Sequence, residues 1–227
     1  MVARVEEPLQ HMVFSHISWE TFERFLDDMG ETHLRAAYTN GDLEFMTISF
    51  EHDNFAEWIG RMIFFVALEM TMPIRSGGST TLKQALKEAA LEPDRCFWIK
   101  HEKHMRGKKQ WNALTDPPPD LAVEIDITTS WLDRLGIYAA LKVPEVWRYD
   151  GKKLRVLILG AGGSYRERTK SMAFPLLPLN GLIQFIAKVD GMEETALVQE
   201  FTRWLRDEVV SKKNGRTERK NGKKNGA

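Results

Sequence analysis

Residues 117–127 constrain the fold of this chain more than any other stretch. They open on Pro117, Pro118 and Pro119, which supply no ladder donors and hold the backbone extended. Leu121, Val123, Ile125 and Ile127 then alternate with Ala122, Glu124 and Asp126. A period of two predicts a strand with its apolar set turned to a core. The opposite face carries Glu124 and Asp126, with Asp120 at the strand's entrance. Neighbouring carboxylates raise the cost of ionising one another. A bound divalent cation is one reason to place them so, because hard cations take oxygen ligands. A half-exposed strand with a solvated acidic face is the other.

The rest of the chain supplies neighbours for that strand. Ser18 is placed to cap a helix over 19–29, whose Trp19, Phe22, Phe25 and Leu26 form an apolar face and which Gly30 ends. Residues before about Ile17 read as irregular. A strand over 33–38 and another over 42–48 flank Asn40-Gly41, a strong hairpin signal. Glu44 lies on the second of these strands. A long helix follows from Glu51-His52-Asp53-Asn54 to about Met70, apolar around most of its girth and so largely buried. His52 at its start reads as a polar cap or as a functional group.

Residues 74–83 read as one strand kinked at Gly77-Gly78, and residues 95–100 as another, entered through Asp94. Gly77-Gly78 is not a phosphate loop, since no Gly-Lys-Ser/Thr follows. The basic stretch 101–115 reads as a solvated loop. His101 and His104 have a metal-like spacing there, but no third soft ligand lies near in sequence. After the acidic strand, Thr128, Thr129 and Ser130 are set to cap a helix over 131–141, from which Arg134 can point back over the carboxylates. Strands over 143–149, 154–159 and 165–168 make an antiparallel meander through a turn at Asp150-Gly151. The proline-broken segment 174–179 is expected along an edge, with helices over 182–187 and 195–210. This alternation predicts an α/β fold.

Composition enters at the ends. Basic and acidic residues balance at 32 each. Residues 211–227 are rich in Lys and Arg and hold no large apolar side chain, so they cannot offset their ordering entropy by burial. The expected organisation is one domain over 1–210 and a disordered basic tail over 211–227. Without the tail the remainder is net acidic, which suits a carboxylate metal site better than a broad phosphate-binding face. The one cysteine, Cys96, excludes a disulfide framework and reads as a core thiol. The first residues lack a signal-peptide core and no apolar run is long enough to span a bilayer. The expectation is a cytoplasmic chain with no membrane partner.

The polar singletons now fall into order: Glu44 on a strand, His52 at a helix start, Asp94 at a strand entrance, Glu124 and Asp126 on the acidic strand, and Arg134 on the next helix. An Asp and a Glu on adjacent strands can share a Mg²⁺ ion. This ordered set resembles the Uma-type restriction endonucleases, a branch of the PD-(D/E)xK nuclease superfamily. The residues that carry the resemblance include Asn40 to Met46, Phe50-Glu51-His52, Gly78 to Thr81, Glu92 to Ile99, Pro119 to Asp126, Leu132-Asp133-Arg134, and Tyr138 with Val143 to Arg148. It runs in unbroken order from about residue 15 to 205.

The resemblance implies a restriction-endonuclease-like core, a mixed central β-sheet flanked by helices. It also implies hydrolysis of DNA phosphodiester bonds with Mg²⁺ or Mn²⁺. Carried over, Asp94 and Glu124 are the metal carboxylates, and Glu44 and His52 complete the pocket. One departure stands out. The superfamily places a lysine two residues after the Glu, and here that residue is Asp126. In the resembling family a lysine on the following helix takes that role, and here that residue is Arg134. Lys83 is a further candidate cation. Two functions follow: a metal-dependent endonuclease, in which a homodimer would cut both strands, or a catalytically inactive nuclease-fold module that binds nucleic acid or protein.

Overall fold

The computed structural model describes residues 11–30, 34–127, 130 and 132–211. The basic tail, His33, Thr128, Thr129 and Trp131 lie outside the described residues, apart from Ser211 at the tail's start. Two sheets are stacked with helices between and around them.

The first sheet is antiparallel. It holds β1 (His11–Phe14), β2 (Leu34–Thr39), β3 (Asp42–Thr47), β5 (Leu82–Gln84) and β6 (Ala89–Leu91) in the order β1-β3-β2-β6-β5. The β2–β3 turn has positive φ at both Asn40 and Gly41, 48° and 90°. That is the mirror-image turn that an Asn-Gly pair favours. The helix α1 (Trp19–Met29) starts at Ser18, whose Oγ accepts from Thr21 N at 3.2 Å, and Gly30 ends it with a φ of 58°. Its Phe22 packs on Ala36, Tyr38, Leu43 and Phe45, covering the sheet's outer face.

The second sheet is mixed. It contains β4 (Arg75–Gly78), β7 (Arg95–Trp98), β8 (Leu121–Ile125), β9 (Glu145–Tyr149), β10 (Leu154–Leu159) and β11 (Tyr165–Arg168), in the order β11-β10-β9-β8-β7-β4. Its one parallel pair is β8 with β9. A parallel connection needs a crossover, and that crossover carries α4 (Arg134–Ala140). The acidic strand is therefore β8, at the centre of this sheet. Its two faces meet different cores. Leu121, Val123 and Ile125 pack with α2 (Phe50–Glu69), α5 (Leu179–Ile186) and α6 (Glu194–Leu205). Ala122 packs with Ile137 and Tyr138 of α4 and with Ala37, Leu82 and Leu91 of the first sheet. Burying each large apolar side chain of β8 contributes about 1.5–3 kcal/mol.

Several expectations change here. All five residues of β8 are buried, so the half-exposed acidic strand is overturned: the first sheet and α4 cover the face that alternation left polar. The run 74–83 is not one strand. It is β4 and β5, in different sheets. The expected irregularity is a bulge between Ser76 and Gly78. A Cβ on Gly77 would lie 2.6 Å from Cys96 Sγ and from Trp98, so only glycine permits the close approach. The N-terminal segment read as irregular includes β1, which pairs with β3. The basic stretch 101–115 contains the short helix α3 (Glu102–Met105). Phe174 and Leu177 sit in the main core, not along an edge. Within the crossover, α4 begins at Arg134, and the Ser130 hydroxyl bonds Leu132 O and Glu44 instead of capping the helix. The link after Tyr149 is four residues long, with Asp150 Oδ1 accepting from Lys152 N and Lys153 N.

Candidate active site

The site grows out of the β7–β8 register. Arg95 stands opposite Val123, so one step outward Asp94 stands opposite Glu124. Side chains at opposed positions share a face. Ile125 N donates to Asp94 Oδ2 at 2.7 Å, tying the two strand ends together. Both carboxylates are interior: Asp94 is 2% exposed and Glu124 6%. Burial, together with the charge of Glu124, pushes the Asp94 carboxyl well above the ordinary carboxylate range.

Buried carboxylates need partners, and α4 supplies those of Glu124. Arg134 opens that helix and reaches back as a fork, with Nε 2.9 Å from Oε2 and Nη2 3.0 Å from Oε1. Nη2 also donates to Glu92 O at 3.0 Å. Burial disfavours the guanidinium charge, but Glu124 outweighs that and holds Arg134 firmly protonated. One helical turn on, the Tyr138 hydroxyl donates to Glu124 Oε1, and burial and Glu124 together raise its pKa far above the usual phenol value. Residues four apart share a helix face, which is why Arg134 and Tyr138 converge on one carboxylate.

His52 arrives from the first turn of α2, where Ser49 Oγ accepts from its backbone N at 3.2 Å. Its Nε2 lies 3.4 Å from Asp94 Oδ2. Burial lowers its pKa, so the ring is neutral near pH 7, and its buried Nδ1 has no hydrogen-bond partner among the described residues. A second layer lies toward the first sheet. Arg35 Nη1 of β2 is 3.6 Å from Glu92 Oε2, and Thr81 Oγ1 donates to Glu92 Oε1 at 3.0 Å. Burial raises the Glu92 pKa.

The remaining predicted residues fall around this centre. Glu44, on β3, accepts from Ser130 Oγ at 2.6 Å and lies 3.3 Å from His11 Nδ1, so it braces the crossover. Asp126 lies just past β8, where Arg148 Nη2 donates to its Oδ2 at 2.5 Å. Asp126, Ser130, Asp133, Arg134 and Arg148 line one cavity of about 280 Å³, which meets the site at Arg134. Lys83 is elsewhere: it pairs with Glu23 at 3.0 Å in the first sheet. His101 and His104 pair separately, with Asp120 at 2.7 Å and Asp116 at 3.0 Å.

Sequence reasoning missed Arg35, Glu92 and Tyr138 as members of the site. The spacing of Arg134 and Tyr138 was a usable signal. Arg35 and Glu92 come together through sheet pairing, which no local pattern marks.

Among the described residues no three His, Cys, Asp or Glu side chains are gathered as a ready metal cage. Asp94 and Glu124 nevertheless have the donor type that Mg²⁺ takes, since that ion is commonly held by one or two carboxylates with several waters. Burial first, and then the charge of Glu124, raises the Asp94 pKa, so a cation held between the two would favour its ionised form. The residues fit a hard cation, on the condition that Arg134 yields an oxygen of Glu124.

Residues 19–184 match the family described as Uma2, putative restriction endonuclease. Among solved structures, the chain is similar to a putative nuclease belonging to DUF820 from Anabaena variabilis ATCC 29413, with a TM-score of 0.51 and 14% identity. That likeness covers 76% of this chain and 97% of the other, and it supports the restriction-endonuclease-like core. No curated protein matched the chain.

Proposed function

The chain belongs to the Uma2 family, and from that premise we propose that it is a metal-dependent endonuclease that hydrolyses DNA phosphodiester bonds. The observation that carries this reading is the buried Asp94–Glu124 pair, two carboxylates opposed on adjacent strands and linked through Arg134 to a polar cavity. Asp94 and Glu124 are the residues to hold Mg²⁺ or Mn²⁺. When bound, such an ion supplies Lewis acidity toward a phosphoryl oxygen and lowers the pKa of water.

The protein's own groups do the rest. Tyr138 holds Glu124 in place through its hydroxyl. His52, 3.4 Å from Asp94, packs against that carboxylate. Arg134 lines the cavity as a permanent cation and is placed to stabilise charge on the phosphoryl group. It cannot act as the proton carrier, because its guanidinium does not deprotonate. Asp126 and its partner Arg148 line the same cavity. Cutting both strands of a duplex in one event calls for two such sites, which a homodimer would supply. No helix among the described residues is long and apolar enough to cross a membrane.

The bidentate Arg134–Glu124 pair favours a second reading, a nuclease fold that binds nucleic acid or protein without turnover. Plasmid nicking with Mg²⁺ or Mn²⁺ separates the two. The endonuclease reading expects cleavage by the wild type and loss of it, by a factor of about 100 or more, in Glu124→Gln. Equal activity in both proteins, or none in either, leaves the binding module.

A further inference from the structure

A second, larger cavity lies at the opposite end of the β8–β9 pair, where both strands begin. Its volume is about 640 Å³, more than twice the roughly 280 Å³ beside Arg134 and within the range of about 300–1,000 Å³ typical of small-molecule sites. Its walls are mainly apolar, with Met72, Ile99, Pro118 and Met172 among them. Its polar groups are of two kinds.

The carboxylates are already satisfied. Asp120 Oδ2 accepts from Ile99 N at 2.7 Å and His101 N at 3.0 Å, and Oδ1 is 2.7 Å from His101 Nδ1. Glu145 accepts from Trp147 Nε1 at 2.6 Å, Met172 N at 2.8 Å and Ala173 N at 2.9 Å. The cations are not. Lys100 and Lys142 are exposed at the rim, and neither pairs with a carboxylate among the described residues.

Lys142 is also conformationally unusual. It follows α4 with a φ of 60°. Lys142 N bonds Ala139 O at 3.1 Å and Val143 N bonds Tyr138 O at 3.1 Å, which is the helix-ending motif whose left-handed residue is normally glycine. A β-carbon there is strained. A residue held at such a cost points toward a function, and here its side chain adds a cation to the rim of an apolar cavity.

We infer that this cavity binds a small organic anion with an apolar body, such as an alkyl or aryl carboxylate or sulfonate, its acid group paired with Lys142 and Lys100. The site shares no lining residue with the cavity beside Arg134, and the inference does not depend on nuclease activity.

The test uses the full chain and two probes, 8-anilinonaphthalene-1-sulfonate fluorescence and displacement of that dye by decanoate. The wild type should show saturable one-to-one binding, reversed by decanoate at least ten times more effectively than by decanol. Lys142→Gly should weaken binding about tenfold while keeping or raising the melting temperature, because glycine relieves the left-handed strain. Lys100→Ala should weaken it by a smaller factor. Wild-type affinity in both variants, decanol as effective as decanoate, or no saturable binding would each overturn the site.

Discussion

The two ends of β8 hold their carboxylates in opposite ways. At the entrance, Asp120 is held by two backbone N–H groups and one imidazole. These donors are fixed by the chain's path, so the carboxylate has a structural task and no freedom. At the exit, Asp94 has one backbone donor and a neutral histidine. Glu124 is held by side chains alone among its recorded partners, Arg134 and Tyr138. Side-chain partners can rotate away, whereas backbone partners cannot. The exit end is thus the one that can exchange its counter-charge for a ligand. Asp120, Asp94 and Glu124 end up with separate jobs, and the nature of the donor sets each job.

Substitutions break or sharpen that contrast. The largest effect is expected for Arg134→Ala. Removing one partner of a buried pair strands the other charge, at a cost of about 3–5 kcal/mol, read from denaturant unfolding without divalent metal. If Mg²⁺ occupies the site, it should restore part of that loss, and a variant equally unstable with and without metal would remove the cation role. Asp120→Ala comes next. It leaves the amides of Ile99 and His101 short of an acceptor; both bonds are only partly buried, so the loss should be about 1–3 kcal/mol in all, and metal should restore none of it.

Asp94→Asn probes the same contrast through pH. A carboxyl with a raised folded pKa stays protonated in the folded state while the unfolded chain ionises. Its contribution is therefore full below about pH 4 and is lost as pH rises through the folded value. The wild type should lose stability over that interval, by up to about 1.4 kcal/mol per pH unit. Asp94→Asn should flatten the curve and abolish cleavage. Tyr138→Phe should cost about 1.5–3 kcal/mol as a lost hydrogen bond to a charged group if nothing replaces the donor, and less where water enters. The smallest effect is expected for Lys83→Ala. Its pair with Glu23 is exposed on both sides, so stability should move by about 0.5 kcal/mol or less, with cleavage unchanged.

Much of this was legible in the sequence. The alternation of 121–127 located β8, Asn40-Gly41 located the hairpin, and the short link after β8 placed Arg134 over Glu124. What was not legible depends on long-range packing. Ala37, Leu82 and Leu91 lie far from β8 in sequence, yet they cover its second face, and nothing within β8 announces them. β1 and β6 are too short to outweigh their neighbours in any window. Arg35 and Glu92 became neighbours of the site because β2 pairs with β6, a partnership between segments about fifty residues apart. Lys83 looked available because the chain's switch from one sheet to the other after Gly78 leaves only a weak mark in its residues.

The ten-residue separation of Glu124 and Arg134 also bears on how the chain assembles. Loops of about that length close in roughly 10–100 ns, whereas Asp94 is thirty-one residues from its bond to Ile125. The guanidinium can thus meet Glu124 before β7 docks and before the first sheet shuts over α4. An early Arg134–Glu124 contact predicts that loss of Arg134 slows refolding as well as weakening the finished protein, which refolding kinetics would read.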